Sequence, residues 1–395
     1  MSQPSPTVEN PLDRLSREQI DEIGEAFQRI HDEVYADLGE ADATYIRNVV
    51  QFHRRLAAIG RIELTASRFT PALVLGTLTL GAAKIIENME IGHNVMHGQW
   101  DWMNDPHIHS SVWDWDTASP AAAWKHSHNY VHHTYTNVIG KDKDVGYEIM
   151  RVDPRQPWNP VFLAQPFYNL ILAAFFEWGV ALHDLDPEAV RKGTKSRSQL
   201  RDEIKAIGRK ARRQIVKDYV AFPLLSGPSW RRTLAANFTA NLIRNVWTYA
   251  IIFCGHFPDQ AYTFSEEEAE ADDSAGAWYV RQLLGAANID GGPAFHFMSG
   301  NLSYQVEHHL YPDLPSSRYG EIAPQVKAIC ERYDLPYNTG PFRKQFGSVQ
   351  RTLLRLAFPG GSPRPKPGPW REPVPTPSSS NGRVPDAEGV LAAFP

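Results

Sequence analysis

The N-terminal part of the chain repeats apolar residues at helical intervals. Ser16 and Gln19 have the spacing of a capping box, and apolar side chains follow every three or four residues, at Ile20, Ile23, Phe27 and Ile30. A second pattern of this kind runs from about residue 43 to residue 64. Both segments carry too many charges for a bilayer-spanning helix. Residues 1–67 are therefore predicted to form amphipathic, cytosolic helices.

Longer apolar stretches occupy the middle of the chain. Residues 69–83 carry no charge, but a spanning helix needs about 20 apolar residues, so this segment is short unless Lys84 and Glu87 are shielded. Residues 156–176 are also uncharged but contain three prolines, and residues 233–258 are interrupted only by Arg244. Alternating strand patterns are few. The pattern predicts an all-α fold, with a helical membrane-embedded part and a cytosolic helical cap.

Charge is unevenly distributed between these stretches. Residues 191–213 hold ten Lys and Arg against two acids, with apolar residues at helical spacing. Three interpretations stay open: binding to the cytoplasmic membrane surface, a solvated charged helix, or docking of a phosphate-bearing substrate such as coenzyme A. Residues 265–273 are acidic and predict a surface loop or a docking site for a basic partner. Residues 359–395 contain ten prolines and are predicted to be a disordered tail.

The composition of the 395 residues excludes several classes of protein. A net charge of −5 gives no strong attraction to nucleic acid. Only two cysteines are present, Cys254 and Cys330, which excludes a disulfide framework and a cysteine-rich zinc or iron–sulfur site. The mean hydropathy of −0.40 argues against a densely packed polytopic channel. The polar residues 1–10 predict no secretory signal.

Histidine is concentrated in a small part of the chain. Eight of the 15 histidines lie between His93 and His133. They include two pairs with i, i+4 spacing, His93 with His97 and His128 with His132, and such pairs share one helix face. His133 directly follows His132, and a third cluster holds Gln305, His308 and His309. Seven histidines exceed the four ligands of one tetrahedral zinc, so the clusters predict two metal ions.

These segments, HNVMH, HNYVHH and QVEHH, resemble the three histidine boxes of membrane fatty acid desaturases. The resemblance covers about residues 68–335 and also includes Asp142 and Asp144 after the second box. Gln305 stands where many members have a histidine. The resemblance implies two iron ions held by the seven box histidines and one more. His256 is the candidate for that ligand, His296 is a rival, and His126 is expected in the second shell or on the surface. The others, His31, His53, His107, His109 and His183, are expected to be ordinary histidines.

The resemblance also implies the chemistry. It implies the O2-dependent insertion of a double bond into a long acyl chain, carried by coenzyme A or by a lipid, with residues around 160–180 and 234–256 as candidates to line the acyl tunnel. No dinucleotide fold or fused haem domain is visible, so the electrons must come from a separate ferredoxin, flavoprotein reductase or cytochrome. One alternative is a lipid hydroxylase or oxygenase of the same superfamily. A zinc-dependent hydrolase or metal-binding protein is a remoter alternative, opposed by the absence of an HExxH pair.

The apolar pattern and the resemblance together predict how the chain is divided. Residues 1–67 form N-terminal helices, 68–335 the catalytic domain, 336–358 a C-terminal helical extension and 359–395 the tail. The resemblance implies that all three boxes face the cytoplasm, so an even number of bilayer crossings is expected between successive boxes. We therefore expect 156–183 to lie at the interface or to re-enter, and 219–230 with 234–256 to form a short hairpin.

Overall fold

The computed structural model describes residues 9–183, 185–360 and 365–372. The described chain is predominantly helical, as predicted. Its two strands have three residues each, β1 (Asn288–Asp290) and β2 (Thr339–Pro341), and pair in parallel. Of the predicted tail, residues 361–364 and 373–395 lie outside the described residues, as do residues 1–8 of the N-terminal segment. Within the described part of the tail, Trp370 packs on Tyr337.

Two long helices open the fold, α1 (Arg17–Asp37) and α2 (Glu40–Thr65). The predicted capping box is present, because Ser16 and Gln19 exchange hydrogen bonds between side chain and backbone. The apolar face of α1 is buried in one large hydrophobic core with residues of the C-terminal third of the chain. The division predicted at residue 67 stays a prediction.

The first helical hairpin is formed by α2 and α3 (Thr70–Ile86). The second arm continues without interruption through a π-helical segment (Glu87–His93) and α4 (Asn94–Met96). Among the described residues, the helix Thr70–Met96 is both long enough and apolar enough to cross a membrane. Lys84 within it is shielded, because its Nζ lies 2.8 Å from Oδ2 of the buried Asp218.

The segment after the first hairpin is made of short elements. These are α5 (Ala121–Trp124), a second π-helical segment (Lys125–His132), α6 (His133–Tyr135), α7 (Gln165–Ala174), α8 (Phe176–His183) and α9 (Pro187–Lys192), with 3-10 turns at Asp101–Met103, Val145–Glu148 and Pro160–Ala164. The helices Pro160–Ala174 and Phe176–His183 meet at 102°, and together they are apolar enough for one broken span or a re-entrant loop. The expectation that residues 156–183 lie at the interface or re-enter stays a prediction, because a broken span has the same bend.

The second hairpin is longer than predicted. Its first arm runs from α10 (Arg197–Ile215) through a π-helical segment (Val216–Ala221) into α11 (Phe222–Leu225), so it includes most of the basic block. A 3-10 turn (Gly227–Ser229) leads to the returning arm, α12 (Trp230–His256). The hairpin itself was expected, but its turn lies at residues 226–229 and not between 230 and 234, because the first arm already ends at Leu225 and the returning arm begins at Trp230.

The remaining helices form the cap. They are α13 (Glu266–Glu270), α14 (Ala275–Gly285), α15 (Pro293–Met298), α16 (Gln305–Leu310), α17 (Tyr319–Arg332) and α18 (Phe342–Leu356), with a 3-10 turn at Ser316–Arg318. The large core joins α1, α14, α16 and α17 through residues such as Phe27, Val280, Val306 and Tyr319. The third histidine box therefore lies on a helix packed from several sides.

Candidate metal centre

The fold brings eight of the predicted ligands into one buried group. Among the described residues, the ligand atoms of one cluster all lie within 4.8 Å of one another, and so do those of a second cluster. The first cluster contains His93, His97, His128 and His308, and the second contains His132, His256 and His309. His133 lies between them, with its ring centroid 4.8 Å from that of His97 and 4.5 Å from that of His309.

π-helical turns shape two of the three boxes. His93 ends the first π-helical segment, and His128 and His132 both lie in the second. Such turns insert an extra residue into a helix and often occur at functional sites. The rings of His128 and His132 stack at 4.9 Å with an interplanar angle of 18°. The i, i+4 spacing thus predicted neighbouring rings correctly, although the backbone between them is not a regular α-helix.

The ring nitrogens divide into an outer and an inner set. Five histidines direct Nδ1 outward to an oxygen atom: His93 to Asn94 at 3.0 Å, His128 to Asp144 at 3.2 Å, His132 to Asp142 at 2.9 Å, His308 to Tyr319 at 3.2 Å and His309 to Gln282 at 3.0 Å. A donated Nδ1 proton leaves the Nε2 lone pair free. These partners therefore fix the tautomer that a metal ligand requires.

The inner nitrogens are buried without a hydrogen-bond partner in the described part of the chain. They are Nε2 of His97, His128, His132, His308 and His309, both ring nitrogens of His133, and Nδ1 of His256. Buried polar atoms normally have partners, so each exception needs an explanation. So many unpartnered imidazole nitrogens that face one another fit the donor set of a two-metal site.

Electrostatics keeps most of the box histidines neutral. Burial lowers the pKa of His133, His308 and His309 well below its ordinary value, and the neighbouring imidazoles lower it further. Burial also lowers the pKa of His132, but the carboxylates of Asp142 and Asp144 outweigh it, so its pKa is raised. Neutral imidazole is the metal-binding form. Asp142 contacts His132 of the second cluster, and Asp144 lies against His128 of the first cluster as well as His132.

The supporting residues were largely missed at the level of sequence. Asp142 and Asp144 were noted only as part of the resemblance, yet Asp144 lies within 4.8 Å of His128 and His132 and forms a third group with them. Their position shortly after the second box was a usable signal. Gln282 and Tyr319 carry no such signal, because they reach the histidines only through the folding of α14 and α17.

The additional candidates fall in different places. His256 belongs to the second cluster, and its Nε2 lies 3.1 Å from Nε2 of Gln305. His296 is in neither cluster: its ring stacks on Tyr304, and its Nδ1 lies 2.7 Å from Oγ of Ser303. The exposed His126 stacks on Tyr130 at a centroid distance of 6.0 Å.

The five histidines expected to be ordinary are also outside both clusters. They are His31, His53, His107, His109 and His183. His183 nevertheless lies close to the site, because its Nε2 is 3.1 Å from Oδ1 of Asp144, which contacts His128 through its other oxygen.

A cavity leads away from the clusters. Its inner end is lined by His93, His128 and His256. Apolar walls come from Phe176 and Val180 of α8 and from Ile252 of α12, and an ion pair between Arg244 and Glu177 lies on its polar side. Both segments proposed from sequence to line a tunnel thus contribute wall residues. The apolar wall residues and the histidines thus line the same cavity.

The sequence is similar to known proteins over most of its length. The family model described as fatty acid desaturase matches residues 69–341, which include all eight clustered histidines. The chain is 50% identical over 349 residues to the NADPH-dependent stearoyl-CoA 9-desaturase of Mycobacterium tuberculosis, covering 87% of this chain and 82% of that protein.

Two relatives of lower identity have names that refer to acyl chains carried by lipids. The chain is 26% identical over 296 residues to the sn-1 linoleoyl-lipid 6-desaturase of Synechocystis, covering 72% of this chain and 80% of that protein. It is 24% identical over 302 residues to an acyl-lipid (7-3)-desaturase of Rebecca salina, covering 76% and 66%.

Proposed function

Because the chain belongs to the fatty acid desaturase family, we propose that it inserts a double bond at the 9 position of a long-chain acyl-CoA such as stearoyl-CoA. The carrying observation is the pair of histidine clusters joined by His133 at the inner end of a partly apolar cavity. The substrate and the position are suggested by the printed name of the mycobacterial relative and by its 50% identity.

The metal pair is proposed to be iron. One ion would be held by His93, His97, His128 and His308, and the other by His132, His256 and His309, with His133 between them. The bound metals supply the O2-dependent oxidation of unactivated C–H bonds, which acid and base groups cannot perform. The unpartnered inner nitrogens support this arrangement, and the outer hydrogen bonds orient the rings toward it.

The side chains of the cavity would position the substrate. Phe176, Val180 and Ile252 present apolar surface on which methylene groups can pack without water. An acyl chain lying along them would have a methylene near His93, His128 and His256. Which carbon lies there would decide the position of the double bond, so these wall residues are proposed to control regioselectivity.

Electrons must come from another protein. Two hydrogens from the chain, two electrons from the donor and two protons from solution together reduce one O2 to two waters. The relative's name includes NADPH dependence, which supports a donor system that draws on NADPH. The donor is proposed to be a separate ferredoxin, flavoprotein reductase or cytochrome, as the sequence predicted.

Membrane orientation is part of the proposal. The turns of the two hairpins touch, because Ser229 Oγ donates to the carbonyl of Thr65 at 2.9 Å. Large exposed apolar side chains surround these turns, among them Phe69, Leu224, Leu225 and Trp230. The many exposed cations of α10 are on the other side of this apolar zone, toward the histidines. The positive-inside rule then supports a cytoplasmic metal centre with the turn ends of both hairpins embedded in the bilayer. The last part of α2, which was predicted from its charges to be cytosolic, would then be embedded as well.

Fatty acid profiling in a host with simple lipids tests the proposal. The wild-type chain, supplied with an electron donor, should produce 9-unsaturated acids, and His132→Ala should produce none. His126→Ala is the matched control and should keep the activity, because this exposed histidine lies in the same helical segment but in neither cluster. Hydroxy acids instead of new double bonds would favour the hydroxylase alternative. Metal analysis should give about two irons per chain, and zinc alone would refute both reactions.

A further inference from the structure

One helix changes from a basic to an apolar surface along its length. It runs from Arg197 to Leu225 through α10, the π-helical segment and α11. Its exposed side chains up to residue 213 are mainly cationic and include Arg209, Arg212 and Arg213. Beyond that point the large exposed side chains are apolar, from Ile215 and Val216 to Leu224 and Leu225, which are 70% and 75% exposed. The change marks the level at which the helix passes from water into an apolar environment.

The neighbouring helix α2 shows the same change. Arg54 and Arg55 are exposed, and the exposed side chains that follow include Ile59 and Ile62, at 48% and 68%. Both helices run toward the touching turns of the two hairpins. Each therefore presents arginines first and apolar residues afterwards, in the same direction.

A buried ion pair shows that the two arginine groups lie at the same level. Nη2 of Arg61 in α2 lies 2.5 Å from Oδ1 of Asp218 in the second hairpin. Arg61 is six residues beyond Arg55, and Asp218 is five beyond Arg213. At 1.5 Å per helical residue, the arginines stand about 9 Å and about 8 Å before the ion pair. The charge boundary is thus one plane shared by both hairpins.

The arginines at this plane are free to bind an external anion. Among the described residues, no carboxylate forms an ion pair with Arg54, Arg55, Arg209, Arg212 or Arg213. By contrast, lysines of the same basic block are paired internally, Lys195 with Glu203, Lys205 with Asp202 and Lys210 with Asp114. Guanidinium groups match phosphate geometry well, because they can donate two parallel hydrogen bonds.

We propose that Arg54, Arg55, Arg209, Arg212 and Arg213 form a binding surface for anionic phospholipid headgroups of the cytoplasmic leaflet. The exposed apolar side chains directly below them favour this occupant over coenzyme A or an acidic protein. A phospholipid has both a phosphate and acyl chains, and the surface offers cations above and apolar groups beneath. An acyl-CoA has both as well, but its chain is proposed to lie in the cavity, and these exposed apolar residues do not line that cavity. The inference rests on the proposed membrane orientation but not on the proposed desaturation chemistry.

The test uses the full chain in lipid nanodiscs and does not involve turnover. Thermal unfolding and retained lipid are measured in phosphatidylcholine with and without phosphatidylglycerol. Phosphatidylglycerol should stabilise the wild type. The R212Q/R213Q variant should bind it about 25-fold more weakly, because each surface arginine contributes about fivefold. R54Q/R55Q should behave in the same way, and high salt should weaken all of these effects.

R197Q/R201Q is the matched control. It removes the same charge from exposed positions of the same helix, but Arg201 is about 17 Å from Arg212 along the helix axis. It should keep the preference for phosphatidylglycerol. An equal loss in this control, or no preference in the wild type, would overturn the proposal. The proposal would also be overturned if free coenzyme A raised the melting temperature in a way that depended on Arg212 and Arg213, while phosphatidylglycerol had no effect. Desaturation can fail while this preference persists, so the two proposals fail separately.

Discussion

Oδ2 of Asp142 lies 2.9 Å from Nδ1 of His132 and also accepts the backbone N–H of Asn137 at 2.8 Å. The carboxylate is almost fully buried, and its other oxygen accepts the backbone N–H of Asp144 at 2.9 Å. It holds the His132 ring with Nε2 turned toward the second cluster. The same relationship, a carboxylate behind a histidine, orients ligands in many metal sites.

Asp142→Asn should therefore loosen the second cluster without removing a ligand. We expect a loss of about 10- to 100-fold in metal affinity or activity, since loss of such an outer partner typically has this effect. Iron per chain after exposure to a graded chelator measures the change. Asp13→Asn, at an exposed position far from the site, is the control. Equal iron retention in both variants would contradict the assigned role of Asp142.

Asp144 and His183 should act in sequence on His128. Asp144 contacts His128 at 3.2 Å and His183 at 3.1 Å through its two oxygens. We expect metal retention to fall least in His183→Gln, more in Asp144→Asn and most in His128→Ala, because each change is one step nearer to the metal. The rate of iron release to a chelator would rank them. His109→Gln, outside both clusters, should match the wild type. A His183 variant that also matches the wild type would remove this residue from the network.

Local patterns were readable from the sequence, and long-range partners were not. The capping box at Ser16 and the clustering of the histidines around His132 both follow from residue spacing, which the chain displays directly. The shielding of Lys84 could only be stated as a condition. The residue that fulfils it, Asp218, is 134 positions away and reaches it through the packing of two hairpins. The π-helical turns could not be predicted from the sequence either, because two histidines four residues apart can occur in an α-helix or in a π-helix.

His31 should make stability depend on pH. Its Nε2 lies 3.0 Å from Oδ2 of Asp313, and the hydrogen bond that it donates to this carboxylate raises the pKa of His31 from 6.5 to about 9. Because the folded-state pKa is the higher one, the stabilisation is fully present below about pH 6.5 and is lost as the pH rises toward 9. The melting temperature of His31→Gln should thus fall below that of the wild type at pH 6 and approach it at pH 9.5. A difference that is the same at both pH values would contradict this linkage.

Asp218 should be among the most sensitive positions for stability. Its buried carboxylate contacts Arg61 at 2.5 Å and Lys84 at 2.8 Å. Asp218→Asn removes the carboxylate that Arg61 contacts and leaves Lys84 with the more distant Asp116, at 3.7 Å. Breaking a buried pair in this way costs about 3–5 kcal/mol. Thermal unfolding in nanodiscs measures the loss. Asp202→Asn, on the exposed face of α10, should change the free energy of unfolding by less than about 0.5 kcal/mol. Similar melting temperatures for the two variants would show that the hairpins are not held together by this ion pair.

Gly276 should tolerate no side chain, because α1 and α14 cross in contact there. A Cβ atom on Gly276 would lie 1.9 Å from the backbone carbonyl oxygen of Ile20, and backbone cannot move aside as a flexible side chain can. Gly276→Ala should therefore cost at least the 1–3 kcal/mol or so that is usual for overpacking. Gly208→Ala is the opposite case: a Cβ there meets nothing within 4 Å, and alanine in an exposed helix should stabilise by about 0.5–1 kcal/mol. Because α14 also carries Gln282, which contacts His309, Gly276→Ala should lower iron retention together with the melting temperature. A melting temperature at or above that of Gly208→Ala would contradict the close crossing of α1 and α14.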